Sequence, residues 1–232
     1  MINILVSLNE SYIPALKVML KSMFENNRGQ AFSIYFMYSD ISEAHIEGLK
    51  RYVETEGQQL NMVFVNPDIV VLNSLVDFYY SEFKGAYYIA SEHRCIISQI
   101  QILNKLRLGN LKANGYFNTG VLLMNLKLLK YETCVEDILT FIRENKEKLL
   151  LPDQDAFNML YWDKIKAVDC FKYNYDAKYY KLNRYLVHKK DIHWIKENTV
   201  FIHYCGKHKP WHNSCAHELA KFYSDYEKMI ER

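Results

Sequence analysis

The chain has 232 residues, half of them apolar, and its 29 Lys and Arg against 27 Asp and Glu leave a net charge of +2. That is enough chain for one α/β domain over residues 1–232 with a sizeable core, and the charge is too evenly spread for the concentrated basic face of a nucleic-acid binder. No apolar run reaches membrane-spanning length, the start MINILVSLNESY has neither a basic stretch nor a small-residue cleavage site, and five cysteines without a CxxC pair point to a reduced, cytoplasmic chain.

INILVSL at residues 2–8 is apolar and β-branched and predicts a buried strand. Pro14 then sits near the start of a helical pattern carried by Leu16, Met19, Leu20 and Met23, with Gly29 to end it. FSIYFMYS is a second strand. Ser42 is placed to cap a helix over 40–56, whose apolar face is Ile46, Leu49, Tyr52 and Val53. Residues 59–65 are a third strand, and such a β-α-β-α-β opening predicts a mostly parallel, doubly wound sheet with right-handed crossovers. Downstream, 87–92 and 116–126 read as strands, and 96–108, 133–149 and 152–161 as helices. IKAVD and TVFIHY are short strands, and residues 216–231 form a tyrosine-rich C-terminal helix. Nineteen tyrosines suit either flat, polar-edged ligands or half-buried core positions.

Four stretches carry candidate chemistry. Asn66-Pro67-Asp68 precedes a strand; it is either an ordinary turn or an acid exposed to hold a divalent ion. In YFNTG (116–120), Asn118 can bond a sugar hydroxyl and Gly120 admits a close ligand, or the segment is a bulge. In LLPDQDAFN (150–158), two acids flank an amide at a helix start. Asp153 and Asp155 can simply serve the helix N-terminus; alternatively Gln154 or Asp155 faces a cleft near a developing positive charge. HYCGKHKPW (203–211) delivers His203 to the carboxyl edge of a strand, where open α/β folds bind ligands. Imidazole suits a transition metal, Gly206 leaves a backbone N–H open to an anion, and Lys209 brings a mobile ammonium to phosphate.

Taken in order, ILVSLNESYIPALKVMLKSM, NPDIVVLNSL, YFNTGVLLMNL, LLLPDQDAFNMLY and HYCGKHKPW resemble the family 8 retaining glycosyltransferases, over nearly the whole chain. That family includes bacterial lipo-oligosaccharide galactosyltransferases and glycogenin. The resemblance implies the α/β GT-A nucleotide-sugar fold and transfer of a hexose, glucose or galactose, from a UDP-sugar to a glycan or lipid-linked saccharide. It implies a Mn²⁺ (or Mg²⁺) ion held by His203, Asp68 and the residue at the first acid position, here Asn66. It places Gly206 and Lys209 on the diphosphate, and Asn9 and Tyr12 on the uracil with Ser7 and Ser11 beside them. Asn118, Asp153 and Gln154 fall on the donor sugar at the reaction centre, with Gln154, Asp153 and Lys209 as the catalytic set. Lipopolysaccharide, capsule or glycoprotein glycans are the implied acceptors, and acids in the C-terminal helix limit membrane contact to a peripheral one.

Two departures matter. An amide at Asn66 is a weaker, uncharged ligand than the family's carboxylate. The family's segment before that strand, with an arginine that contacts the donor, has no counterpart, because Val65 runs straight into Asn66. Either the protein is a catalytically impaired nucleotide-sugar-binding protein, or residues are missing between Val65 and Asn66, with a Cα separation there well beyond the 3.8 Å of a trans peptide. A similar, smaller interruption is conceivable at 93–96. A third reading is a scaffold that binds partners through its tyrosine-rich helix.

Overall fold

The structure is a computed structural model that describes residues 1–38, 40–55, 59–60, 67–92, 98–187, 190–212 and 218–230. The strands, in chain order, are β1 (Ile2–Leu8), β2 (Phe32–Tyr38), β3 (Gln59–Leu60), β4 (Ile69–Val71), β5 (Tyr88–Glu92), β6 (Phe117–Met124), β7 (Ile165–Val168), β8 (Tyr175–Asp176) and β9 (Phe201–His203). The helices are α1 (Ile13–Asn26), α2 (Glu43–Thr55), α3 (Val76–Tyr79), α4 (Ser98–Arg107), α5 (Leu126–Glu132), α6 (Val135–Asn145), α7 (Pro152–Leu160), α8 (Cys170–Tyr173), α9 (Tyr180–Leu182), α10 (Ile192–Asn198) and α11 (Ala220–Ile230). They form two compact units, Met1–Tyr79 with Asn174–Arg232, and Tyr80–Tyr173.

In the first unit β1, β2 and β3 pair in parallel, from Ile2 opposite Phe32 to Leu8 opposite Tyr38. The Asn9 side chain caps a short 3-10 turn, Glu10–Tyr12, that feeds α1, with Pro14 in the first helical turn. Leu16, Met19, Leu20 and Met23 are fully buried along α1, as their spacing predicts; each such side chain stabilises the fold by about 1.5–3 kcal/mol. Polar residues on the same helix do a second job. Ser22 Oγ accepts the Val71 N–H at 2.9 Å and donates to Met19 O at 2.7 Å. Asn26 Nδ2 donates to Val71 O at 3.0 Å, and Asn27 Oδ1 accepts the Leu75 N–H at 2.8 Å. These bonds tie β4 and the chain after it to α1, and so hold in place the turn that carries Asp68.

A second sheet of this unit runs β4-β9-β8, with β9 antiparallel to β4 and parallel to β8. His203, the last residue of β9, lies between Ile69 and Asp176. The α11 helix packs on α1, where Tyr226 hydroxyl meets Asn26 Nδ2 at 2.5 Å and Phe222 and Tyr223 are buried. The tyrosine-rich face of the C-terminal helix is therefore used inside the unit. Among the described residues no helix is long and apolar enough to cross a membrane.

The second unit has the sheet β6-β5-β7, antiparallel at β5–β6 and parallel at β5–β7, with a register shift between Ala90 and Glu92. Tyr88, Phe117 and Phe157 form its core, and the Tyr88 and Phe157 rings meet edge to face at 4.9 Å. Asn158 of α7 acts as a false strand residue: its Oδ1 accepts the Phe117 N–H at 2.6 Å and its Nδ2 donates to Phe117 O at 2.8 Å. The helix expected over 133–149 divides at Asn145, where α6 gives way to a 3-10 turn. The interruption expected at Val65–Asn66, and the smaller one at 93–96, lie outside the described residues.

Candidate active site

The opening of β4 and the end of β9 bring Asp68 and His203 together. Tyr204 N–H donates to Asp68 O at 2.9 Å, which continues the ladder one step past the strand ends. His203 Nε2 then lies 3.2 Å from Asp68 Oδ1. Lys209 reaches back across 141 positions of sequence to pair with Asp68 Oδ2, and also donates to Tyr204 O at 2.9 Å. All three side chains are buried: Asp68 and His203 are 4% exposed and Lys209 9%. Gly206, between His203 and Lys209, has φ +85°, a left-handed conformation that only glycine adopts without strain, and it lets the chain turn back.

Burial alone would raise the Asp68 carboxyl, but the His203 and Lys209 charges outweigh it and hold it at about 2. Burial pushes the His203 imidazole down, yet the net shift is well upward. Its interactions with Cys205 and with the Asp68 carboxylate raise it. The Cys205 thiol is itself raised by burial and stays protonated, so Asp68 supplies the effective charge.

Among the described residues no group of three His, Cys, Asp or Glu side chains could hold a metal. Asp68 and His203 nonetheless fit two positions of one. Adjacent ligands of an octahedral ion, each about 2.1 Å from it, stand about 3 Å apart, close to the 3.2 Å seen between Oδ1 and Nε2. Asp68 Oδ1 is also buried with no hydrogen bond of proper geometry among the described residues, and His203 Nε2 is its charged neighbour. Asn66, the third expected ligand, lies outside the described residues.

Ser7, Asn9 and Tyr12 line an open cavity of about 470 Å³, with Leu8, Met37, Tyr38 and Pro67 completing its wall. It sits at the carboxyl ends of β1 and β2, as the doubly wound pattern requires. Asn9 Oδ1 is engaged by the Ser11 N–H at 3.1 Å and the Ser11 hydroxyl at 2.6 Å, leaving the amide nitrogen as its outward group. The Tyr12 ring stands edge-on to Trp211 at 5.6 Å, and Lys209 Nζ is 5.9 Å from the Trp211 ring.

The second unit gathers Asn118, Asp153 and Gln154. Asn118 Nδ2 donates to Gln154 Oε1 at 3.1 Å, while its Oδ1 accepts the Gly120 N–H at 2.8 Å. Gln154 is 6% exposed, and its Nε2 has no hydrogen-bond partner among the described residues. Asp153 is exposed and accepts from Thr119 Oγ1 at 3.2 Å. Asp155 is a structural anchor. Arg107 grips it with two bonds of 2.7 and 2.8 Å, Tyr116 hydroxyl donates at 2.6 Å, and the Leu150 and Leu151 N–H groups donate at 2.7 and 2.9 Å. Five donors saturate the carboxylate and hold it at about 2 against the upward push of burial.

Several neighbours escape a sequence reading. Met37 and Tyr38 are exposed apolar residues at a strand end, a weak signal that the cavity explains. Asn174, with its Oδ1 3.0 Å from His203 Nδ1, carries no motif at all.

Comparison with known proteins names the arrangement. The family described as glycosyl transferase family 8 matches residues 49–215. A lipopolysaccharide 1,2-glucosyltransferase of Escherichia coli is 29% identical over 70% of this chain and 48% of its own. The lipopolysaccharide glucosyltransferase WaaO of Escherichia coli K12 is 37% identical over 44% of this chain and 29% of its own. The chain thus spans about half or less of the length of these two relatives. Among solved structures, the galactosyltransferase LgtC in complex with donor and acceptor sugar analogs superposes with a TM-score of 0.81 at 19% identity, over 98% of this chain and 95% of that one. The glycosyltransferase GlyE of Streptococcus pneumoniae gives 0.76 at 17% identity, over 97% and 60%. These likenesses show an α/β fold of the GT-A type, and with the family match over most of its length the chain belongs to glycosyltransferase family 8.

Proposed function

We propose that the protein is a retaining transferase that moves a hexose, glucose or galactose, from a UDP-sugar to a glycan acceptor, assisted by Mn²⁺ or Mg²⁺ at Asp68 and His203. The observation that carries this is one buried carboxylate with an imidazole at 3.2 Å on one oxygen and a lysine ammonium on the other. Two cationic side chains thus converge on one buried carboxylate at a strand end. The names of the relatives, lipopolysaccharide glucosyltransferases and a galactosyltransferase, support the sugar and acceptor class.

A bound divalent ion would supply charge neutralisation and orientation of the diphosphate. Lys209 would swing from Asp68 to the diphosphate, setting an ammonium where negative charge grows as the anomeric C–O bond breaks. Gly206 would offer its N–H to the same oxygens. Tyr12 would stack on the uracil. Asn9, its carbonyl oxygen taken by Ser11, would donate from Nδ2 to a base carbonyl, with Ser7 alongside. Gln154 Nε2, which has no hydrogen bond of proper geometry among the described residues, would donate to a sugar oxygen, and Asn118 fixes its orientation. Asp153 would accept from a donor-sugar hydroxyl. Attack by the acceptor hydroxyl on the leaving-group face gives retention.

The test is release of UDP from UDP-glucose and UDP-galactose with a lipopolysaccharide-type acceptor, in Mn²⁺ and in chelator, with the product's anomeric configuration read by NMR. Metal-dependent transfer with retention is expected. UDP binding without turnover would replace the proposal with the impaired binding protein that Asn66 suggests. Absence of UDP binding would sink both.

A further inference from the structure

We propose that Asn174 is a positioning residue that holds the His203 ring so that Nε2 is presented to the metal; this rests on the assignment of Asp68 and His203 as metal ligands. Asn174 directly precedes β8, whose Asp176 pairs with His203 of β9, and it is 6% exposed. Its Oδ1 lies 3.0 Å from His203 Nδ1, inside a hydrogen bond's range. A carbonyl oxygen only accepts, so Nδ1 carries the hydrogen and donates. The hydrogen bond thereby fixes both the tautomer and the plane of the ring, and directs the Nε2 lone pair toward a cation.

Asp68 cannot do this job. Its Oδ1 lies 3.2 Å from Nε2, on the side of the ring that would face the metal, and both atoms are needed as metal ligands. The Cys205 thiol beside the ring is a weak partner. Asn174 is thus the strong directional contact on the far side of the ring, the place where metal-binding histidines take support. The opposite amide orientation makes the contrary claim: Nδ2 would donate to Nδ1, Nε2 would carry the hydrogen, and His203 would bind no metal.

Three variants and one measurement on the wild-type protein decide it. Mn²⁺ affinity is titrated by electron paramagnetic resonance in the presence of UDP, with thermal unfolding in chelator as the control for folding. Asn174→Leu, which keeps the branched shape and heavy-atom count and removes the acceptor, should weaken Mn²⁺ binding about 10- to 100-fold. Asn174→Asp, which can only accept, should stay within about threefold of wild type or bind more tightly. Equal weakness in both variants, or wild-type affinity in Asn174→Leu, overturns the proposal. Should Asn174→Leu fail to fold, long-range nitrogen NMR of the wild-type protein with Mg²⁺ and UDP decides: hydrogen on Nδ1 supports positioning, hydrogen on Nε2 ends it. The third variant separates the two layers. If His203→Ala keeps wild-type Mn²⁺ affinity, the ligand assignment itself is wrong; if it loses affinity while Asn174→Leu does not, only the positioning role falls.

Discussion

Replacing Lys209 by Met keeps an unbranched side chain, one atom shorter, and removes its charge. In the metal-free protein that charge neutralises Asp68, which is 4% exposed and, among the described residues, otherwise has the His203 imidazole as its charged partner. Removing one partner of a buried ion pair costs about 3–5 kcal/mol, because the other charge is left uncompensated; His203 remains, so the lower figure applies. A chain of this size loses about 2–4 °C per kcal/mol, so Lys209→Met should melt about 6–12 °C below wild type in chelator. Mn²⁺ at about 100 times its Kd returns about 2.7 kcal/mol, nearly the whole deficit. The ion enters the variant unopposed, whereas in the wild type it must first displace Lys209 from Oδ2. Differential scanning fluorimetry across a Mn²⁺ titration should therefore show a larger upward shift in the variant than in the wild type. UDP affinity and transfer should fall, since no ammonium meets the diphosphate. If the chelated variant melts within about 2 °C of wild type, or if Mn²⁺ raises the wild type more, Lys209 is not the stand-in cation of this site.

Tyr12→Ala should weaken UDP binding by about 1–3 kcal/mol, the worth of one base stacked on an aromatic ring, with little loss of melting temperature; calorimetric titration in Mn²⁺ checks it, and unchanged affinity removes the base from this cavity. Asp155 is a carboxylate held at about 2 from an ordinary 3.8. Its contribution is present above about pH 4 and is lost as pH falls toward 2, and a shift of nearly two units is worth about 2 kcal/mol. Asp155→Asn should lose about that much at pH 7 and show a flatter decline between pH 4 and 2 in denaturant titrations.

Local signals reached far along this chain. The β-branched run before Asn9 and the 3.6-residue spacing of Leu16, Leu20 and Met23 describe a buried strand and helix without outside help, and β1, α1, β2 and α2 lie where those patterns predict. What stayed hidden is non-local or too short to have a period. β8 is two residues long, and α8, α9 and α10 are four, three and seven; elements of that size are held by packing, which no window of sequence displays. Lys209 and Asp68 are 141 residues apart, and Arg107 and Asp155 are 48. The DQD stretch therefore showed that one acid could serve the helix start, but not that Arg107 and Tyr116 would consume Asp155 and leave Gln154 with the idle donor. His203 was legible as a strand-end imidazole beside Gly206; its support, Asn174, is an unremarkable amide whose meaning exists only once β8 lies beside β9.

The amide at Asn66 bears directly on the proposed metal. With Asp68 and His203 as ligands, a divalent ion would receive one negative charge from Asp68 and none from His203, and would keep an excess positive charge for the diphosphate to offset. Asn66→Asp adds the missing charge. At a few ångströms even 1.4 kcal/mol of extra attraction is a tenfold gain in affinity, so Mn²⁺ binding without nucleotide should tighten at least about tenfold. With UDP present the gain should be smaller, because the diphosphate already supplies much of the charge. If transfer rises with affinity, the wild-type protein is an enzyme limited by its metal. If affinity rises and transfer stays absent, the deficiency lies elsewhere than in the metal's charge. If Mn²⁺ affinity does not change at all, residue 66 does not face the ion, and the alignment of this stretch with an acid-x-acid motif is wrong.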